Sequence, residues 1–198
     1  MADLAIRKDR RAGRITLTRP QALNALTHAM VLDITAALTG WRDDPGIDLV
    51  IIDAEGGRAF CSGGDVAAIW HAARAGDHAE GRRFFADEYR MNALIENHPR
   101  PIVAFMQGWV MGGGVGVGGH ARVGVVGDST RMAMPEVGIG LIPDVGGSWL
   151  LSRAPGRIGE YLGLTGARVG AGDAIRADLA DRYLPEGEWP AAIDRLAA

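Results

Sequence analysis

Cysteine is almost absent from this chain: Cys61 is the only one in 198 residues, so no intrachain disulfide can form. The start, Met1-Ala-Asp-Leu-Ala-Ile-Arg-Lys, lacks the apolar centre of a secretory signal, and together these features lead us to expect a reducing, cytoplasmic setting. An excess of positive charge is also missing. Lys and Arg number 21 against 24 Asp and Glu, a formal net charge of -3 that offers no field for a nucleic-acid backbone or an anionic membrane. Aromatic residues make up 6% and are scattered, which excludes a base-stacking platform. The five histidines, His28, His71, His78, His98 and His120, show no metal-ligand spacing, so no metal is expected. The longest uncharged run, 101–119, contains seven glycines and Gln107, so it does not read as a membrane span.

What remains is an ordinary globular composition, 47% hydrophobic and 23% charged, in a chain of a length suited to one domain. Gly13-Arg-Ile-Thr-Leu-Thr18 alternates apolar and polar side chains and predicts a strand, with Leu4 to Lys8 as its partner. From Thr27, a suitable N-cap, the residues Met30, Val31, Ile34, Leu38 and Trp41 recur at helical spacing until Asp44-Pro-Gly46. The apolar run at 48–53 predicts a strand buried on both faces, and 101–106 returns to strand character. Helices are expected at about 66–74 and 80–97, a glycine-dense turn enters a helix over 112–120, and the tail from Ser148 reads as mostly helical. This alternation predicts an α/β domain.

Two glycine turns, Ser62-Gly-Gly64 and Gly112-Gly-Gly114, each follow an expected strand and precede an expected helix. The first amides of a helix have no internal partner, so two such corners facing one point make an oxyanion hole; tight turns without function fit the spacing equally well. Downstream, Met134-Pro-Glu136-Val-Gly-Ile-Gly-Leu-Ile-Pro-Asp144 places two carboxylates in an otherwise apolar stretch. Burial would raise their pKa toward that of a useful acid, base or nucleophile; the plainer alternatives are a local pair for Glu136 and an N-cap at Asp144 for a helix beginning near Val145. Glu88, on the helix expected at about 80–97, reads by itself as a solvated side chain. Cys61 reads as a packed small hydrophobe. Gly114-Val-Gly-Val-Gly-Gly119 matches a dinucleotide-binding fingerprint, but no acidic residue ends the next strand, and the match reads as accidental.

Taken in order, these motifs resemble the crotonase, or enoyl-CoA hydratase/isomerase, superfamily over nearly the whole chain. Thr18-Arg-Pro-Gln-Ala-Leu-Asn-Ala-Leu26 is similar to that family's early coenzyme A loop. Ala59-Phe-Cys-Ser-Gly-Gly-Asp65 and Gln107-Gly-Trp-Val-Met-Gly-Gly-Gly114 are similar to its two oxyanion turns. The resemblance implies a spiral of repeated β-β-α units, with a core at about 1–147 and a helical tail at about 148–198, forming one acyl-CoA-binding domain. It implies that the Gly64 and Gly113 amides form the oxyanion hole and that Ala22, Leu23, Ser62 and Asp65 lie toward the coenzyme A moiety. It also implies an acyl-CoA substrate with no further cofactor, and a homo-oligomer, trimer-based if the missing C-terminal part is not required for assembly.

Hydratases of this family use two glutamates, and at the first of those places this chain has Gly116. Phe84-Phe-Ala-Asp-Glu-Tyr89, Met111-Gly-Gly-Gly-Val-Gly116, 133–147 and Leu162-Gly-Leu-Thr-Gly-Ala-Arg168 resemble instead the 3-hydroxyisobutyryl-CoA hydrolase branch. That resemblance implies thioester hydrolysis with Glu136 and Asp144 catalytic and Glu88 at the substrate. An enoyl-CoA isomerase or hydratase and a non-catalytic coenzyme A-binding paralogue are the alternatives. Members of the superfamily are longer, and the tail here is expected to be truncated.

Overall fold

The computed structural model describes residues 2–198. It opens with an antiparallel hairpin, β1 (Leu4–Asp9) and β2 (Ala12–Leu17), turned at Arg10 in the left-handed region (φ 53°). Helix α1 (His28–Trp41) follows. Its N-cap is Thr27, whose hydroxyl accepts from the Met30 amide, and its buried residues are Met30, Val31, Ile34, Leu38 and Trp41, the stripe the spacing predicts.

Three passes of one pattern come next. The first is β3 (Leu49–Ala54), β4 (Ala59–Cys61) and the helices α2 (Val66–Arg74) and α3 (His78–Glu96). The second is β5 (Ile102–Met106), β6 (Trp109–Met111) and α4 (Gly113–Gly118). The third is β7 (Val123–Val126), β8 (Arg131–Ala133) and the short 3-10 helix Glu136–Ile139. The first strand of each pass joins one sheet, in the order β1-β2-β3-β5-β7-β9, and the second joins another, β4-β6-β8. From β2 onward every pairing in both sheets is parallel. This is the expected spiral of β-β-α units. The tail holds α5 (Gly147–Ser152), α6 (Ile158–Thr165), α7 (Ala171–Arg176), β9 (Arg182–Tyr183) and α8 (Trp189–Ala197).

Strand periodicity decides what the large sheet buries. Along β5, Ile102, Ala104 and Met106 enter the main core with α1, while Val103 and Phe105 face the other way and meet Trp189 and Ile193 of α8. β3 divides in the same manner, Val50 and Ile52 against Ile51. Both faces are covered, which is why these strands read as unbroken apolar runs. Among the described residues no helix is long and apolar enough to cross a membrane.

One expectation needs correction, and three short strands are additions. The helix predicted from Val145 begins at Gly147, because Val145 and Gly146 both sit in the left-handed region (φ 46° and 76°). Asp144 is therefore no side-chain N-cap. The tail is mostly helical, as expected, and also contains the two-residue strand β9, which pairs with β7. Strands β7 and β8 are new, each too short to carry a period.

Candidate active site

Because β4, β6 and β8 lie side by side and parallel, the corners that follow them emerge at one edge. Those corners are Ser62-Gly63-Gly64, Gly112-Gly113 and Pro135-Glu136. Helix α3 crosses above them and brings Glu88. A Cβ built on Gly113 would stand 3.1 Å from the Gly64 nitrogen and 2.5 Å from Glu88 Oε1, and one on Gly112 would stand 2.6 Å from Glu136 Oε1. Two corners and two glutamates thus meet within one residue's reach. Gly112 has φ 47° and Gly63 φ 102°, conformations that glycine adopts without strain.

Among the described residues neither the Gly64 nor the Gly113 amide donates to a backbone carbonyl. Both border a cavity of about 430 Å³ whose walls include Ser62, Phe84, Glu88, Glu136 and Asp144. Gly113 is the first residue of α4, where the helix dipole favours negative charge. Two free donors beside an apolar cavity are suited to an oxygen that gains charge during reaction.

The carboxylates are held away from water. Glu88 is 2% exposed and Glu136 5%, so the solvated reading of Glu88 does not stand. Glu88 Oε1 and Glu136 Oε2 are buried with no hydrogen-bond partner among the described residues. Each such atom costs about 1–3 kcal/mol, a penalty that natural cores rarely keep without cause. Burial, with the charges of Asp144 and Glu136 adding, pushes Glu88 up to about 8. Burial also pushes Glu136 up to about 7, again with help from Asp144. Burial raises Asp144, opposed by a 2.8 Å hydrogen bond that the Tyr89 hydroxyl donates to Asp144 Oδ2. Groups poised near neutrality can take and return a proton at little cost.

At Gly116, the first of the two glutamate places that the resemblance implies for a hydratase, a Cβ would lie 2.7 Å from Val145 Cβ and 2.9 Å from Asn92 Nδ2. No side chain fits there without moving those neighbours. Val145, β-branched and left-handed, is held by its carbonyl, which accepts from His120 Nε2 at 2.8 Å. Gly114 to Gly118 form a buried helix against Cys61 and Met106, a packing role for the apparent dinucleotide fingerprint. Cys61 is buried, and that burial pushes its thiol up to about 12.

Of the residues expected toward coenzyme A, Ser62 borders the cavity. Ala22 and Leu23 lie just outside, in a loop whose Leu23 carbonyl accepts from the Ser62 amide. Asn24, fully buried, fastens that loop by donating to the Glu55 and Ala59 carbonyls. The Asp65 carboxylate is turned away; it caps α2 through the Ala68 amide and pairs with Arg19 at 2.9 Å. Sequence reasoning missed Tyr89 and Phe84 as site residues. Phe84 packs on the Gly64 corner, where a Cβ would meet its ring at 2.9 Å. Their adjacency to Glu88 on a helix was the only available signal, since their partners are far away in sequence.

A family model described as Enoyl-CoA hydratase/isomerase matches residues 12–198. The 3-hydroxyisobutyryl-CoA hydrolase, mitochondrial, of Xenopus tropicalis is 44% identical over 187 residues, covering 94% of this chain and 48% of that protein. The 3-hydroxyisobutyryl-CoA hydrolase 1 of Arabidopsis thaliana is 42% identical, covering 86% of this chain and 45% of its own length. Among solved structures, an enoyl-CoA hydratase from Rhodobacter sphaeroides 2.4.1 is 61% identical with a TM-score of 0.97, covering 99% of this chain and 58% of that one. The chain thus spans about half the length of the curated relatives it matches.

Proposed function

The chain belongs to the enoyl-CoA hydratase/isomerase family, and from that premise we propose that it hydrolyses acyl-coenzyme A thioesters in the manner of a 3-hydroxyisobutyryl-CoA hydrolase. One observation carries the choice: Glu136, Glu88 and Asp144 border the cavity beside two free amides, while position 116, which a two-glutamate hydratase needs, is a glycine covered by Val145. The names of the curated relatives agree with hydrolysis.

In this reading the thioester oxygen accepts hydrogen bonds from the Gly64 and Gly113 amides, which stabilise it as it becomes negative; one such donor is worth about 2.7–4 kcal/mol. Glu136 attacks the carbonyl carbon or activates water against it. Asp144 and Glu88 orient the substrate hydroxyl and assist proton transfer. The coenzyme A moiety runs past Ser62 toward Ala22 and Leu23, and Asp65 acts indirectly by tying Arg19 of that loop. Residues 1–198 act as one acyl-CoA-binding domain, with no resident cofactor. Exposed Ile142 (75%), Leu164 (76%) and Tyr161 (59%) support assembly into a homo-oligomer, trimer-based by family resemblance. The buried free thiol of Cys61 accords with a reducing, cytoplasmic compartment.

The second reading is an enoyl-CoA isomerase or hydratase, and its hydratase form is favoured by the name of the 61% identical structure. Incubation with 3-hydroxyisobutyryl-CoA and with crotonyl-CoA separates the two. Thiol release from the first is expected; loss of enoyl absorbance from the second without thiol would overturn the hydrolase reading.

A further inference from the structure

A second cavity, of about 780 Å³, lies against the first. The two share Asp144 and Leu141 and nothing else in their walls. Their chemistry differs. Around the reacting corners the first is walled by Val66, Ile69, Phe84 and Phe85; the second is also largely apolar, with Ile142, Pro143 and Trp149, but adds Asn92, Glu96, His120 and Ser148. Tyr89 borders only the second, and its hydroxyl donates to Asp144 across the boundary.

Asn92 stands out. It is 3% exposed, and both its side-chain atoms, Oδ1 and Nδ2, are buried without a hydrogen-bond partner among the described residues. A carboxamide offers donors and an acceptor together, the pairing that a small hydroxylic molecule satisfies at once. It stands one helical turn beyond Glu88 on α3 and against Gly116, beside the left-handed Val145 that follows Asp144. A hydrolase whose first cavity is filled by an acyl chain needs a separate polar approach for water, because the walls around that chain exclude it.

We propose that the second cavity is the entry route and holding site of the hydrolytic water, and that Asn92 is the positioning residue that presents this water to the Asp144 side of the reacting carbon. In the step itself the water oxygen bonds to the acyl carbon as the bond to the leaving atom breaks. That leaving atom is the thioester sulfur, or the Glu136 oxygen in a covalent route. One water proton passes to the Asp144 carboxylate and from there to the thiolate, which leaves in this step or, in the covalent route, left when Glu136 attacked, so thioester and water give acid and thiol. The inference rests on the hydrolase reading above and extends it to the second reactant.

Two substitutions test it. Asn92→Leu fills the space with an apolar side chain, whereas Asn92→Ala leaves room for water. Holding water predicts that Asn92→Leu lowers kcat for thiol release at least tenfold, that Asn92→Ala lowers it less, and that KM stays within about twofold in both. The leucine variant should melt no lower than the parent, because it removes two unpartnered polar atoms. A packing role predicts the reverse order, alanine worse than leucine, and would overturn the proposal. So would near-parental kcat in both variants, or KM rising in step with the loss. If the parent chain releases no thiol from any acyl-CoA, the hydrolase reading fails and takes this inference with it; release of thiol with silent variants removes the water route alone.

Discussion

Helices α1 and α3 pack against one another, yet they bury different kinds of side chain. The buried stripe of α1 is wholly apolar, Met30, Val31, Ile34, Leu38 and Trp41, under a satisfied threonine cap. The stripe of α3 runs Phe84, Glu88, Met91, Asn92 and Ile95, and its two polar members each leave atoms unpartnered. Both helices build the same core. The difference is that α1 buries only apolar side chains, whereas α3 breaks the rule against unpaired buried polar groups where it meets the glycine corners. Conflict between local chemistry and packing falls on the side of the molecule where the proposed site lies.

Substitutions on either side should sharpen that contrast. The largest effect is expected below α3. Glu136→Gln should lower thiol release on the order of 10²–10⁴-fold with no loss of melting temperature, as read by thiol detection beside thermal unfolding. The opposite pattern belongs to α1, where Ile34→Ala should lower the unfolding free energy by about 2–5 kcal/mol in denaturant titrations and leave kcat per folded molecule unchanged.

Glu88→Leu should invert the usual cost of a core substitution, raising thermal stability while lowering activity. The pH dependence follows with the same sign. Glu88 in the folded chain holds its proton up to about 8, well after an unfolded chain has lost it. Stability is therefore full below the ordinary glutamate range and falls as pH rises through about 8, and Glu136 adds the same trend through about 7. Glu88→Leu should flatten that slope; an equal slope in parent and variant would remove Glu88 from the account. The smallest effect is Thr27→Ala, about 1 kcal/mol of stability with unaltered turnover, since only the cap of α1 is lost.

Legibility in the sequence divides along the same line. The apolar stripe of α1 and the continuous runs of β3 and β5 carry their periods over enough residues to be read, and they fold as read. Strands of two to four residues, such as β7, β8 and β9, hold no period. The two glycine corners were ambiguous by spacing and became a candidate site only through family resemblance, because what unites them is the lateral order of β4, β6 and β8. The alternative of a helix cap at Asp144 fails for a local reason. A valine in the left-handed region contradicts its own propensity, and that contradiction delays α5 and frees the carboxylate for Tyr89.

The parallel order of the small sheet also bears on how the molecule comes into being. Gly64, Gly113 and Glu136 lie roughly 50 and then 20 residues apart, and no hairpin can bring them together, since each parallel pairing needs a full crossover. Contacts of such long sequence separation form slowly. A nascent chain can wind its helices and zip β1 to β2 early, but the reactive corner exists only after the third pass has closed. Recovery of turnover during refolding should accordingly trail the recovery of helical signal.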